Sequence, residues 1–466
     1  MKLRFLGATR QVTGSRYLLD VAGLRLLVDC GLFQEREHLG RNWEPSPVPP
    51  GTIDHILLTH AHLDHSGLIP RLVREGFGRA ILTTEASKDL AKIVLRDSAR
   101  IQEEDAAFKK RRHARERRKG PYPVVPLYTA QDVEAALPLF RGVAYDEAVS
   151  LNERVSVSFR DAGHILGSAT LELNVRLNGE TRRVVFSGDI GQWDKPLVRD
   201  PTVFERADHV VMESTYGGRD HEPAGEVDDQ LCEIINATVK AGGNIVIPTF
   251  ALERAQELMY HIRRLVLEDR IPNLMVFLDS PMAVAVSEVF QRHRECMDEE
   301  ALRIVSGDGS LFRFPGLQFV GDSGESKAIN RIRGSCIIMS GSGMCTGGRI
   351  KHHLVNNISR PQSTIVFVGY QARGTLGRQI VEENRVVRIH GEKRKVRARI
   401  AQVHGLSAHA DRRGLLKWVG NLKSPPRRVF LTHGDEEQAD QLAQEVHSRF
   451  GWETIVPQQG EAFELT

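Results

Sequence analysis

The sequence predicts an α/β protein in which one domain is interrupted by another, and three observations carry that prediction. In the N-terminal half, short apolar runs at residues 53–59, 80–84, 155–160, 184–187 and 209–212 end in polar residues. Strands of that kind place their polar ends at one edge of a sheet, where sites are commonly built. From about Gly217 the pattern changes to alternating strand and helix: 244–248, 252–268, 274–278, 283–294, then strand-like 336–340, 365–369 and 386–389. This resembles an open parallel sheet with helices on both faces. After Val396, strand-type segments ending near a His return at 398–403 and 428–432. A length of 466 residues also exceeds one ordinary core.

Along the chain, residues 3–6, 17–21 and 25–29 alternate as strands separated by Gly turns. Residues 85 to about 119 read as a long helix, stopped by Pro121, Pro123 and Pro126. Its end, 109–119, holds eight Lys/Arg, one His and one Glu. A solvated helix end and a contact for polyanion phosphates are both compatible with such a run.

The formal net charge of +3 is too small to imply nucleic acid, so that claim must rest on local features. The five Cys include no CxxC pair and read as thiols of a reducing compartment. No apolar run approaches a bilayer span and the N-terminus lacks a signal pattern, so the expected location is cytoplasmic, away from membranes.

The strongest chemical signal is Thr59-His60-Ala61-His62-Leu63-Asp64-His65, after an apolar strand and before a helical stretch. Three imidazoles and a carboxylate within six positions are the donor types of catalytic zinc. His60 and His62 could point to one side of an extended turn, and Asp64 and His65 could serve a second ion. His164, in Asp161-Ala162-Gly163-His164, and Asp189, in Ser187-Gly188-Asp189, are weak signals alone, since loop His and turn Asp are common.

Asp29 after a strand, the His60–His65 cluster, His164 and Asp189 together resemble the signature motifs of the metallo-β-lactamase superfamily. Glu213 in Glu213-Ser214-Thr215-Tyr216-Gly217, His409 in Ser407-Ala408-His409 and His433 in Thr432-His433-Gly434 resemble the extra motifs of its β-CASP nuclease subfamily. The likeness covers nearly the whole chain. It is to the bacterial and archaeal relatives of the endonuclease that cleaves eukaryotic messenger RNA precursors at their 3′ ends. The C-terminal domain of RNase J and the N-terminal KH domain of many archaeal relatives are not expected here.

The resemblance implies an αββα sandwich, residues 1–215 and 391–466, with an inserted β-CASP α/β domain of parallel sheet and helices, residues 216–390. It implies two zinc ions: one held by His60, His62 and His164, the other by Asp64, His65 and His433, with Asp189 bridging and Asp29 orienting the His-bearing loop. Asp64, Glu213 and His409 are the expected catalytic residues, His409 as proton donor and Glu213 as its orienter. Ser340, Gly341, Arg349, Arg373, Gly374, Thr375 and Ser407 are expected substrate contacts, because Gly lets backbone N–H groups approach phosphate and Ser and Arg add donors. The implied function is hydrolysis of single-stranded RNA, by endonuclease or 5′-exonuclease action. A DNA nuclease of the same superfamily and a catalytically silent RNA-binding subunit are the alternatives, and a homodimer is one open assembly.

Overall fold

In the strand Lys2–Phe5, Leu3 and Phe5 are buried while Lys2 is exposed, so one strand face is committed to a core. This strand pairs antiparallel with Tyr17–Val21, which pairs antiparallel with Leu24–Val28. Leu24–Val28, His55–Leu57, Ala80–Thr84 and Phe140–Val143 then run parallel. With Ala462–Glu464 on the other edge they make a seven-stranded sheet. A second seven-stranded sheet holds, in spatial order, Thr454–Ile455, Arg428–Thr432, His209–Glu213, Glu180–Phe186, Ala169–Leu177, Val155–Asp161 and Ala148–Ser150. The computed structural model describes residues 1–116, 120–177, 179–221 and 226–465.

The inner faces of the two sheets share one core. Leu3, Phe5, Leu19, Leu26 and Val28 of the first meet Val157, Phe159, Leu171 and Phe186 of the second. Each such buried side chain contributes roughly 1.5–3 kcal/mol. Helices cover the outer faces, as the expected αββα sandwich requires. Glu85–Glu116 buries Leu90, Ala91, Val94 and Leu95, one helical face, beside the first sheet. Arg412–Val419 and Glu436–Phe450 cover the second sheet, with Leu415, Leu416, Leu442 and Val446 over Val185, Val210 and Leu431. The last buried position of the long helix is Ala99. Residues 100–116, about 25 Å of helix, have none. Of the basic run expected over 109–119, residues 117–119 lie outside the described residues.

Strand direction fixes the place of the site. Val28 pairs with Leu57, and Glu213 with Thr432, at the C-terminal ends of parallel strands. Val155–Asp161 ends at the same edge as Glu180–Phe186, because two antiparallel pairings through Ala169–Leu177 restore its direction. Each of these strand ends leads into a loop that carries a candidate residue.

The chain divides into Met1–Asp220 with His409–Thr466, and an inserted unit His221–Ala408. The insert is built on six parallel strands in the order Leu317–Phe319, Met275–Asp279, Cys336–Ser340, Ile245–Pro248, Thr364–Phe367 and Arg399–Gln402. Every residue of Ile245–Pro248, Cys336–Ser340 and Thr364–Phe367 is buried, so these strands read as unbroken apolar runs.

Two strand expectations are corrected. Residues 386–389 do not join this sheet; Val386–Ile389 forms an antiparallel hairpin with Glu392–Lys395. Only Val387 and Ile389 face its core, an alternation that the sequence Val-Val-Arg-Ile hides. Residues 398–403, read as the return to the first domain, give Arg399–Gln402, the edge of the inserted sheet paired with Thr364–Phe367. The insert therefore extends to Ala408 where 390 was expected. It starts at His221 where 216 was expected, because the turn at Gly217 and Gly218 packs on the helix Glu436–Phe450 of the first unit.

A candidate dinuclear metal centre

Asp29 follows the strand Leu24–Val28 in the left-handed region, φ 58°, a conformation that Asp tolerates better than most residues. Its buried carboxylate accepts the Thr59 N–H at 2.8 Å and the Thr59 hydroxyl at 2.9 Å, which fixes the start of the His-bearing loop. It also accepts from His65 Nδ1 at 2.7 Å, leaving His65 Nε2 to face the site. A carboxylate that orients an imidazole in this way is the usual support of a metal ligand. Thr59, which the motif contains but the sequence reading assigns no role, also lies 3.1 Å from His60 Nδ1 and so turns His60 Nε2 inward.

Two groups of donors result. In the first, His60 Nε2 and His62 Nδ1 are 3.1 Å apart, and His164 Nε2 is 3.3 Å from His62 Nδ1. Asp189 Oδ2 lies 3.4 Å from His60 Nε2 and 3.5 Å from His164 Nε2. Donors about 2.0–2.1 Å from one tetrahedral ion are separated by about 3.3–3.4 Å, so these four atoms are spaced as the edges of such a tetrahedron. In the second group His65 Nε2 is 3.2 Å from His433 Nε2, which is 3.4 Å from Asp64 Oδ2. Asp189 Oδ1 reaches it at 3.2 Å from His65 Nε2 and 3.5 Å from His433 Nδ1. Asp189 thus presents one oxygen to each group, and its buried Oδ1 has no hydrogen-bond partner among the described residues.

Close approach is built into the loops. A Cβ at Gly188 would stand 2.9 Å from Thr59 Cβ, and one at Gly191 1.7 Å from the Gly163 carbonyl oxygen. Only Gly lets the Asp189 loop lie against the loops of His60 and His164.

The electrostatics fit cations. Burial holds His60 and His62 neutral, with pKa values pushed down to about 3 and about 4, and lowers His164 well below the usual imidazole range. Neutral imidazole is the form that binds metal. Burial alone would raise Asp189, but His433, His65 and His60 bring its carboxyl well below the usual range. Burial alone would lower His65, but Asp189 and Asp29 raise it well above; His433 is raised by Asp189 and Asp64 against the same burial. Protons and cations therefore compete at the second group.

His409 stands beside both groups. Its Nε2 is 4.0 Å from Asp189 Oδ2, and its Nδ1 is 3.1 Å from each Glu213 oxygen. Burial lowers its pKa, but Glu213 and Asp189 outweigh that and lift it to about 9. Asp189, Glu213 and His409 form a third cluster with metal-binding donor types. Glu213, however, is committed to His409 and to the Ile190 N–H at 2.6 Å.

The expected substrate contacts fare differently in the inserted unit. Ser340 is fully buried and donates to the Asp279 carbonyl, so it packs the sheet instead of facing a ligand. Arg349 pairs with buried Asp279 at 2.6 Å and donates to the Val320 and Gly321 carbonyls, a structural cross-link. The Thr375 hydroxyl caps the helix Leu376–Val381. Arg373 and Gly374 are exposed, and Gly341 and Ser407 are half-buried.

Residues 10–216 match the metallo-beta-lactamase superfamily, 255–380 the Beta-Casp domain, and 393–457 the Zn-dependent metallo-hydrolase RNA specificity domain. Ribonuclease TTHA0252 of Thermus thermophilus is 40% identical over 438 residues, 94% of each chain. Transcription termination factor FttA of Methanosarcina mazei is 30% identical over 466 residues, covering 97% of this chain and 70% of that one. A solved structure of a protein of unknown function from Enterococcus faecalis V583 has the same fold, with TM-score 0.51 at 13% identity over 99% of both chains.

Proposed function

The chain belongs to the β-CASP ribonucleases of the metallo-β-lactamase superfamily, and on that premise we propose a two-zinc phosphodiesterase that hydrolyses single-stranded RNA. It is a metal-dependent nuclease that binds RNA. The observation that carries the proposal is Asp189, one oxygen toward each of two groups of inward-facing imidazoles. His60, His62 and His164 would hold one ion and Asp64, His65 and His433 the other. Zinc bound there would supply Lewis acidity toward a phosphate oxygen and would lower the pKa of water toward neutrality.

The chain's own residues do the rest. Asp29 and Thr59 orient His65 and His60. Glu213 accepts from His409 Nδ1 and favours the imidazolium. His409 Nε2 gives its proton to the leaving oxygen as the phosphorus–oxygen bond breaks, while water supplies the new hydroxyl on phosphorus and releases its other proton to solvent, from which His409 is reprotonated. Gly341, Arg373, Gly374 and Ser407 remain the proposed RNA contacts of the inserted unit. All these metal and proton-transfer residues lie in one unit of one chain, so the chemistry needs no homodimer. Five free cysteines support a reducing, cytoplasmic setting. Among the described residues no helix is long and apolar enough to cross a membrane.

Single-stranded RNA labelled at either end tests the proposal. Zinc-loaded protein should cut it, and chelator or Asp189→Ala should abolish cutting. Internal fragments identify endonuclease action; mononucleotides from the 5′ label alone identify 5′-exonuclease action. Full activity in strong chelator would overturn the proposal.

A further inference from the structure

The turn after Glu213 carries two residues that this chemistry does not use. The chain folds back at once: the Gly217 N–H donates to the Ser214 carbonyl at 3.0 Å and the Arg219 N–H to the Tyr216 carbonyl at 3.2 Å. The turn is pinned on the helix Glu436–Phe450. The Gly218 N–H donates to Gln438 Oε1 at 3.1 Å, and a Cβ at Gly217 would meet the Gln438 carbonyl oxygen at 2.6 Å. From this fixed platform Glu213 holds His409, and Thr215 Oγ1 lies 3.1 Å from His433 Nδ1. Tyr216 flanks His409, their ring centroids 6.2 Å apart. Arg219 lies over the Tyr216 ring, its Cζ 4.8 Å from the centroid.

Arg219 is exposed, and none of the described residues gives it a carboxylate partner. Its cationic neighbours differ. Arg412 and Arg413 pair with Asp220 at 2.9 and 3.1 Å, and Arg412 also has Glu445 at 3.8 Å. The Arg412 N–H donates to the Arg219 carbonyl at 3.1 Å, so the backbone of Arg219 is held while its guanidinium has no carboxylate partner among the described residues. Stacking on an aromatic face steadies a guanidinium and leaves its N–H edge open. A phosphate is an anion that this fork fits, and it is the one that RNA supplies.

We infer that Arg219, seated on Tyr216, grips a backbone phosphate of the RNA on the leaving-group side of the bond that is cut. The side follows from His409, the proton donor to that group, which Tyr216 flanks. The inference rests on the ribonuclease reading and adds the residue that holds the departing strand.

Steady-state cleavage of a single-stranded RNA 20-mer and of bis(p-nitrophenyl) phosphate, a diester without flanking phosphates, tests it in zinc-loaded enzyme. For Arg219→Ala, KM for RNA should rise about five- to tenfold with kcat changed less. The slope of log kcat/KM against log salt should become shallower by about 0.7, the share of one single-strand phosphate. The penalty should be at least fivefold smaller on the small diester. Arg219→Lys should restore most of the salt slope and only part of KM, because it keeps charge without the fork. An unchanged RNA KM and slope, or equal losses on both substrates, would overturn the inference while leaving the ribonuclease reading intact. Wild-type enzyme that cuts the small diester but not RNA would overturn both.

Discussion

The Nδ1 of His409 lies 3.1 Å from both carboxylate oxygens of Glu213, on the side of the ring away from Asp189. One ring nitrogen is thereby anchored and the other is left to face the site, 4.0 Å from Asp189 Oδ2, with a pKa lifted to about 9 that keeps a proton there to donate. Glu213→Gln keeps the shape but removes the charge that raises the His409 pKa against burial. Cleavage that needs protonated His409 is lost as pH rises through that pKa. In Glu213→Gln this loss should occur at lower pH, seen as a leftward shift of the basic limb of the pH–rate profile with metal content unchanged.

Asp29 accepts from Thr59 N–H, the Thr59 hydroxyl and His65 Nδ1 together. Asn at this position turns one acceptor into a donor. Asp29→Asn should lower zinc affinity about 10–100-fold, measured by competition with a chromogenic chelator. Cleavage should recover partly at saturating zinc. Wild-type affinity would deny Asp29 its orienting part.

Much of this site was readable because titratable side chains crowd the ends of apolar strands. Asp29, the cluster from His60 to His65, Asp189 and His433 each follow a strand that its own local pattern announces, and Glu213 ends one. Thr59 and Thr215 were not readable: each acts through a residue chosen by tertiary packing, Thr215 on His433 more than two hundred positions away. Ser340 and Arg349 misled for the same reason. Their Gly-rich surroundings suggest a phosphate loop, while their side chains are taken by Asp279. The hairpin at Val386–Ile389 shows that an apolar run announces a strand without naming its partner.

Asp279 is fully buried and accepts from Arg349, His353 Nε2 at 2.6 Å and Ser326 at 2.5 Å. Asp279→Ala leaves buried donors unpaired and should cost about 3–5 kcal/mol, read as a lower denaturation midpoint. Burial raises its pKa, but these hydrogen bonds bring it below the ordinary value. Its stabilisation is therefore whole above the ordinary carboxylate pKa of about 3.9 and is lost as pH falls through the lower folded value. The variant should lack that part of the acid sensitivity.

Along the long helix Lys88, Lys92, Arg96 and Arg100 pair with acids, and Arg112 pairs with Glu116. Lys109, Lys110 and Arg111 are exposed with no acidic partner among the described residues. Changing these three to Ala should weaken RNA binding and flatten its log–log salt slope by up to about 2, measured by fluorescence anisotropy. An unchanged slope would mark the run as a solvated helix end.

The most direct test of His409 as proton donor uses an RNA whose leaving oxygen is replaced by sulfur, which needs little protonation to depart. His409→Ala should keep its zinc, bind RNA, and cleave the ordinary substrate about two to four orders of magnitude more slowly. It should regain much of that loss on the sulfur substrate, whereas Asp189→Ala, which removes the carboxylate shared by both metal groups, should regain little. Loss of zinc from His409→Ala, or no recovery on the sulfur substrate, would contradict the account.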